Sequence, residues 1–224
     1  MHAFEMPRAE IDRVLARQGR AHSCESLDAP TTALVVVDMQ NYFLALTYQA
    51  ACPVAQEIVP NINRLAAALR SAGGTVVWIQ NHAPLESWET WSVNRERYRP
   101  QGAAARWEAL QSGAHGFALW PELDARASDL RVLKQRYSPF TQGSSDLDGM
   151  LRNIGVQTIL VTGVATNVCC DATARDAMML NYRTLMVSDA CAAASDAEHA
   201  AALVNFYLYF GDVQSTAQVA SLLA

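Results

Sequence analysis

Three short apolar runs of this chain each end beside a residue that can do chemistry. Thr158-Ile-Leu-Val-Thr162 stops at Gly163, and Cys169 follows six residues later, after the cap-forming pair Thr166 and Asn167. The stretch beyond is alanine-rich and amphipathic, so the local pattern is a strand, a tight turn and a helix. With Asn167 as N-cap, Cys169 falls in the first helical turn, where backbone N–H groups lack partners and the helix dipole is positive. A thiol placed there is expected to ionise more readily than a free one. The same N–H groups can hold an oxyanion, so one turn can supply both nucleophile and stabiliser. A cysteine at such a turn is more often a small buried filler, so its meaning depends on its company.

That company comes from two further runs. Thr32-Ala-Leu-Val-Val-Val37 is a buried-type strand followed by the carboxylate of Asp38, and Leu130-Arg-Val-Leu133 is a shorter one followed by Lys134. In an open parallel sheet, sites form beyond the carboxyl ends of strands. Asp38, Lys134 and Cys169 all fall at such ends, so a base, a cation and a thiol would converge on one crevice. Taken singly, Asp38 reads equally well as a turn cap and Lys134 as a strand-end surface charge.

The elements that must position them follow the same punctuation. Helix 8–18 and an extended approach over 19–31 precede the strand at 33–38; a helix over 55–71 starts or kinks at Pro60. Strands are expected at 75–80, 131–134, 158–162, 183–187 and 212–214, with helices at 145–154, 167–180, 196–209 and 215–223. Strands alternating with helices give an α/β fold: a doubly wound, mainly parallel six-stranded sheet with helices on both faces, Rossmann-like in class. Residues 1–31 read as an N-terminal helix and arm, and 32–224 as a single domain. Residues 81–127 are rich in Trp, Arg, Pro and Gly and contain at most short helices; such long segments are usually functional or disordered. No Gly-x-Gly-x-x-Gly turn is present, which removes the phosphate cradle an NAD-dependent oxidoreductase needs.

Composition narrows the class further. The chain has 224 residues, half of them hydrophobic, and a formal net charge of −5. That length suits one α/β domain, and the charge argues against nucleic-acid binding, which needs a basic face. No apolar run is long enough for a membrane span and no signal-peptide pattern opens the chain. Five cysteines without regular spacing give no disulfide framework; a reduced, cytoplasmic setting fits a free thiol.

The segments Val-Val-Asp-Met-Gln-Asn, Leu130 to Arg136 and Gly-Val-Ala-Thr-Asn-Val-Cys together resemble the isochorismatase-like cysteine hydrolases, from about Thr32 to the C-terminus. The resemblance implies a catalytic triad of Asp38, Lys134 and Cys169, a cis peptide between Val164 and Ala165, and an oxyanion hole made by the Ala165 and Cys169 N–H groups. It implies amide hydrolysis through a thioester, a small-molecule substrate, and a homo-oligomer, dimer or tetramer. Nicotinamidase-like members hold a metal with an acidic residue and histidines after the second strand. Here that stretch is Trp78-Ile-Gln-Asn-His-Ala-Pro84, where Gln80 and Asn81 are poor ligands beside the single His82. No metal and no cofactor are therefore expected. Members that split the isochorismate vinyl ether lack the nucleophilic cysteine. The Trp78-x-Gln-Asn81 and Arg136-Tyr-Ser138 segments look most like the N-carbamoyl and ureidoacrylate amidohydrolases, with Phe43, Trp78, Gln80, Asn81 and Tyr137 as substrate contacts. A vinyl-ether hydrolase and a non-catalytic binding protein on the same fold stay open as alternatives.

Other residues read as structure. Cys170 lies about 100° round the helix from Cys169 and is expected to pack. Cys24, Cys52 and Cys191 read as fillers, and His2, His22, His115 and His199 show no ligand spacing. Met178, Met179 and Leu180 read as the buried end of a helix. Phe206, Tyr207, Tyr209 and Phe210 suit either a core or a subunit contact. Arg95, Arg97 and Arg99, with Trp88, Trp91 and Tyr98 beside them, read either as a solvated loop or as a lid whose arginine clamps a substrate carboxylate.

Overall fold

Thr32–Val37 is buried along its whole length, which a run of alternating inward and outward residues could not be; only a strand covered on both faces reads this way. This strand, β1, lies at the centre of a sheet completed by β2 (Thr75–Asn81), β3 (Leu130–Lys134), β4 (Thr158–Val164), β5 (Arg183–Ala192) and β6 (Asp212–Gln214). The order is β3-β2-β1-β4-β5-β6 and every pairing is parallel. The expected doubly wound sheet is therefore present, and its parallel character is complete. The structure, a computed structural model, describes residues 1–223; Ala224, the last residue of the expected 32–224 unit, lies outside them.

The helices are α1 (Arg8–Gln18), α2 (Asn41–Leu44), α3 (Val59–Ser71), α4 (Leu85–Thr90), α5 (Ser92–Arg95), α6 (Pro100–Ala109), α7 (Leu147–Asn153), α8 (Asp171–Met179), α9 (Asp196–Tyr209) and α10 (Thr216–Leu222). Pro60 occupies the first turn of α3, preceded by a 3₁₀ turn over Ala55–Ile58. The ring thus starts the helix, where its missing N–H costs nothing. Alternate residues of β1 separate two cores. Val35 and Val37 pack with Leu147, Ala174, Leu203 and Phe206 from α7, α8 and α9. Leu34 and Val36 pack with Ile62, Leu65 and Val219 from α3 and α10. The N-terminal arm is docked: Val14 of α1 joins the first core, and Arg13 donates to the Tyr209 hydroxyl at 3.1 Å.

Three local expectations change. The segment after β2 holds the ten-residue helix α6, begun by Pro100 in the position where proline favours a helix start. Met178 and Met179 are exposed, because α8 ends by turning that face to solvent. Phe206 and Tyr207 are core residues, while Tyr209 faces out.

Gly163 is the glycine on which the site depends. Its φ is +107°, and a Cβ there would fall on the Val37 carbonyl oxygen of the neighbouring strand. Left-handed strain and a backbone clash act together, so Gly163→Ala is expected to cost about 3 kcal/mol or more. Urea unfolding monitored by circular dichroism checks this; a cost below about 1 kcal/mol, the ordinary effect of a point change, would show that β1 and β4 can part at this level.

Candidate active site

The strand order reverses between β1 and β4, and the crevice of such a sheet opens there, beyond the carboxyl ends. Asp38 is the residue after β1, Lys134 closes β3, and Cys169 lies in the turn after β4. Asp38 adopts a left-handed φ of 54°, uncommon for a residue with a side chain. Its N–H donates to Ile79 O at 3.0 Å and its carbonyl accepts from Gln40 N–H at 2.7 Å. Gln40 in turn donates to Asn81 O and Phe117 O and accepts from the Asn81 N–H. The bend that turns Asp38 into the crevice is thus tied to β2 and to the loop beyond α6.

The structure brings Asp38, Lys134 and Cys169 together. Lys134 Nζ lies 2.8 Å from Asp38 Oδ2 and 3.5 Å from Cys169 Sγ, and also donates to Arg136 O at 3.1 Å. Asp38 and Lys134 are wholly buried and Cys169 is 6% exposed. The angles at Asp38 fall outside hydrogen-bond geometry, so among the described residues both of its oxygens keep free acceptor capacity. Burial alone would lower the Lys134 ammonium, but the adjacent Asp38 carboxylate and Cys169 sulfur outweigh it and raise it; the amine stays charged.

The thiol departs from expectation. Burial pushes Cys169 up to about 12, with Lys134 pulling it down and the Asp38 carboxylate raising it again. A helix terminus and one lysine do not offset full desolvation beside a carboxylate. The resting site therefore holds a neutral thiol next to a Lys–Asp ion pair, with a base already at hand.

The turn carrying Cys169 is also built differently. Thr166–Cys170 is a single π-helical turn ahead of α8, with Ala165 in the capping position and the Cys170 N–H reaching back to Ala165 O at 3.1 Å. Asn167 is exposed and caps nothing. A widened turn of this kind is rare and frequently marks a functional site. The Val164–Ala165 peptide is cis, and the Ala165 N–H makes no hydrogen bond among the described residues. Thr166 anchors the turn to α9, its Oγ1 lying 2.8 Å from His199 Nδ1. Cys170 points away into the core, its Sγ 3.7 Å from Thr162 O.

Of the expected substrate contacts, Tyr137 and Asn81 border the site, while Trp78 and Gln80 are turned to the α3 side of the sheet. Trp78 is wholly buried in the α3-side core, donating to Asp129 at 2.8 Å. Gln80, two residues on and so on the same face of β2, is occupied holding Phe117 O at 2.8 Å. Phe43 packs against the α3-side core, edge-on to Tyr42. Asn81 points to the other face of β2 from Gln80. Tyr137 packs edge-on against Trp91 and accepts from Asn94 Nδ2 at 2.8 Å. Beside Asn81 and Gln135, which flank Lys134, a narrow cleft of about 40 Å³ runs under α4, α5 and α6; Cys169 itself lies outside its wall. Arg95 lines it but is engaged by Trp88, 5.3 Å from the ring centre and 3.2 Å from the carbonyl. Arg97 and Arg99 are exposed.

Two residues that the structure sets at this site, Tyr42 and Arg106, carry no signal in the sequence. The Arg106 guanidinium lies 5.6 Å from the centre of the Tyr42 ring, close enough to Cys169 to lower its thiol. Both sit on short helices whose facing is undetermined by periodicity; only Pro100 announces α6. Among the described residues, no three His, Cys, Asp or Glu side chains group as metal ligands, and no helix is long and apolar enough to cross a membrane.

A doubly wound parallel sheet with a buried thiol, amine and carboxylate at its switch point defines a cysteine-hydrolase type of site. The Isochorismatase domain matches residues 32–218; the chain belongs to the isochorismatase family. It is 32% identical over 212 residues to the ureidoacrylate amidohydrolase of Caulobacter vibrioides, covering 85% of this chain and 90% of that one. With the ureidoacrylate amidohydrolase of Pseudomonas savastanoi it shares 35% over 201 residues, 82% and 80% of the two chains. Among solved structures it is similar to a cysteine hydrolase from Pseudomonas syringae pv. phaseolicola, with a TM-score of 0.79, 30% identity and coverage of 88% and 94%. The N-carbamoylsarcosine amidase of Thermoplasma acidophilum gives a TM-score of 0.67 at 28% identity, with coverage of 83% and 96%.

Proposed function

We propose that this protein is a cysteine amidohydrolase that cleaves a carbon–nitrogen bond of a small N-carbamoyl or ureido acid. One observation carries the reading: a buried ammonium placed 2.8 Å from a carboxylate and 3.5 Å from a thiol. Asp38 takes the Cys169 proton as Sγ attacks the carbonyl carbon, so charge separation is confined to the attack itself. The Ala165 and Cys169 N–H groups receive the oxyanion. Collapse breaks one C–N bond, Asp38 returns the proton to the leaving nitrogen, and a carbamoyl group stays on sulfur as a thiocarbamate. Water, deprotonated by Asp38, then cleaves it and restores the thiol. Lys134 holds both partners in place and offsets the negative charge that passes between them. The relatives named for ureidoacrylate and N-carbamoylsarcosine support this substrate class. We also carry the homo-oligomer as part of the proposal, since Leu85 and Val93 expose apolar surface on the helices over the cleft.

The test is ammonia release from a panel of primary amides, N-carbamoyl amino acids and ureido acids, with a chelator present throughout. Turnover is expected on N-carbamoyl or ureido acids and unchanged by the chelator. Hydrolysis confined to simple amides would move the protein to another branch, and loss of activity restored by zinc, iron or manganese would overturn the metal-free scheme.

A further inference from the structure

The cleft under α4, α5 and α6 has a one-sided chemistry. No Asp or Glu lines it, although the chain as a whole is acidic, and two arginines do. Arg95 is already engaged by Trp88. Arg106 stands between the rings of Tyr42 and Tyr98, its guanidinium carbon 5.6 and 5.9 Å from their centres, and these contacts leave its charge without an anionic partner. Among the described residues no carboxylate pairs with it, and its nearest partners are these two tyrosines. Two more donors in the same wall lack partners, Asn81 Nδ2, on a residue 4% exposed, and Trp107 Nε1. Buried donors without acceptors are costly. Two such donors on residues that line one cleft, with the Arg106 guanidinium beside them, are complementary to a ligand that brings several acceptors and a negative charge. A carboxylate does this, and the planar guanidinium fork matches it bidentately.

We propose that Arg106, with Asn81 and Trp107, receives the carboxylate of the substrate, so that the enzyme selects anionic ureido compounds over neutral ones. This rests on the amidohydrolase reading and deepens it. The scissile carbonyl sits at Cys169 and the acid end lies in the cleft, so Arg106 fixes which end enters. Arg95, Arg97 and Arg99, which share one short stretch, do not supply the clamp.

The experiment compares 3-ureidopropanoate with N-propylurea, in which a methyl replaces the carboxylate. For wild type, the acid is the better substrate. Arg106→Gln is expected to raise KM for the acid by about tenfold to a hundredfold more than KM for N-propylurea, the range for losing hydrogen bonds to a charged group, while any effect through the nearby Cys169 thiol falls on kcat for both compounds alike. Arg106→Lys recovers part of the loss, and Arg95→Gln behaves as wild type. Equal effects of Arg106→Gln on both compounds, no effect on either, or the same effect from Arg95→Gln overturns the proposal. Calorimetric titration of 3-ureidopropanoate into Cys169→Ala, with and without Arg106→Gln, separates the two readings. If wild type turns over neither compound, the amidohydrolase reading fails on this substrate class. Unequal affinities in the titration still support the carboxylate site, and equal affinities overturn it.

Discussion

Replacing Cys169 by alanine or serine abolishes turnover and leaves the fold in place. The expected loss is about 10⁴-fold or more, the scale seen when a nucleophile is removed from a unit whose members act together. Serine fails as well as alanine because its hydroxyl is a far weaker acid than a thiol. The side chain is small and its neighbours keep their positions, so unfolding should shift by only about 1 kcal/mol. The adjacent Cys170 is the internal control: its alanine variant should keep most activity, since its sulfur points into the core. The pH profile adds a sharper check on how the thiol is used. Were the reaction to draw on a standing thiolate, kcat/KM would climb about tenfold per pH unit until the thiol at about 12 was titrated. With Asp38 taking the proton during attack, kcat/KM is flat between about pH 7 and about pH 9. Lys134, raised by its partners, remains charged there and imposes no fall. A tenfold rise per unit would sink the concerted transfer, and residual activity above a few per cent in Cys169→Ala would sink covalent catalysis here.

Legibility in the sequence followed the physics of each element. Strands β1 and β4 are continuous apolar runs because both faces are covered, so their ends, and with them Asp38 and Cys169, were marked within one residue for β1 and two for β4. Lys134 was legible on a weaker signal, as the residue that closes a short edge strand with alternating burial. Two kinds of information were not. The first is which face a short helix presents: α2 and α6 carry Tyr42 and Arg106 to the site, yet neither has a clear enough polar and apolar division to say so. The second is depth. Trp78 and Gln80 read as substrate contacts by position along the chain, but strand alternation sends both to the α3 side, where Asp129 and Phe117 O engage them. The same lack of depth made the thiol look acidic: a turn beside a strand end shows in the pattern, whereas complete burial beside a carboxylate does not. Asn167 repeats the lesson on a local scale. A cap-forming residue type stood at the right spacing, but the π-helical turn begins one residue earlier and leaves its side chain in solvent.

Lys134→Met is expected to destabilise the protein by about 3–5 kcal/mol, because it leaves the Asp38 carboxylate buried without its ion-pair partner. Asp38→Asn should cost a similar amount by the converse route, stranding the ammonium. Both single variants should be inactive. The informative case is the double variant, Asp38→Asn with Lys134→Met. Neither charge is then present to be desolvated, so its cost should fall short of the sum of the singles by about 3 kcal/mol, the upper range for residues in direct contact. Urea midpoints for the wild type and the three variants measure this. Strict additivity would mean that the two charges do not stabilise one another and that the ion pair is incidental. The expected outcome divides stability from chemistry: the double variant regains much of its folding free energy and none of its turnover. A methionine and an asparagine can fill this crevice, but they can neither accept the Cys169 proton nor offset the charge that its departure creates. A buried pair that the fold can do without and the reaction cannot is one retained for the reaction.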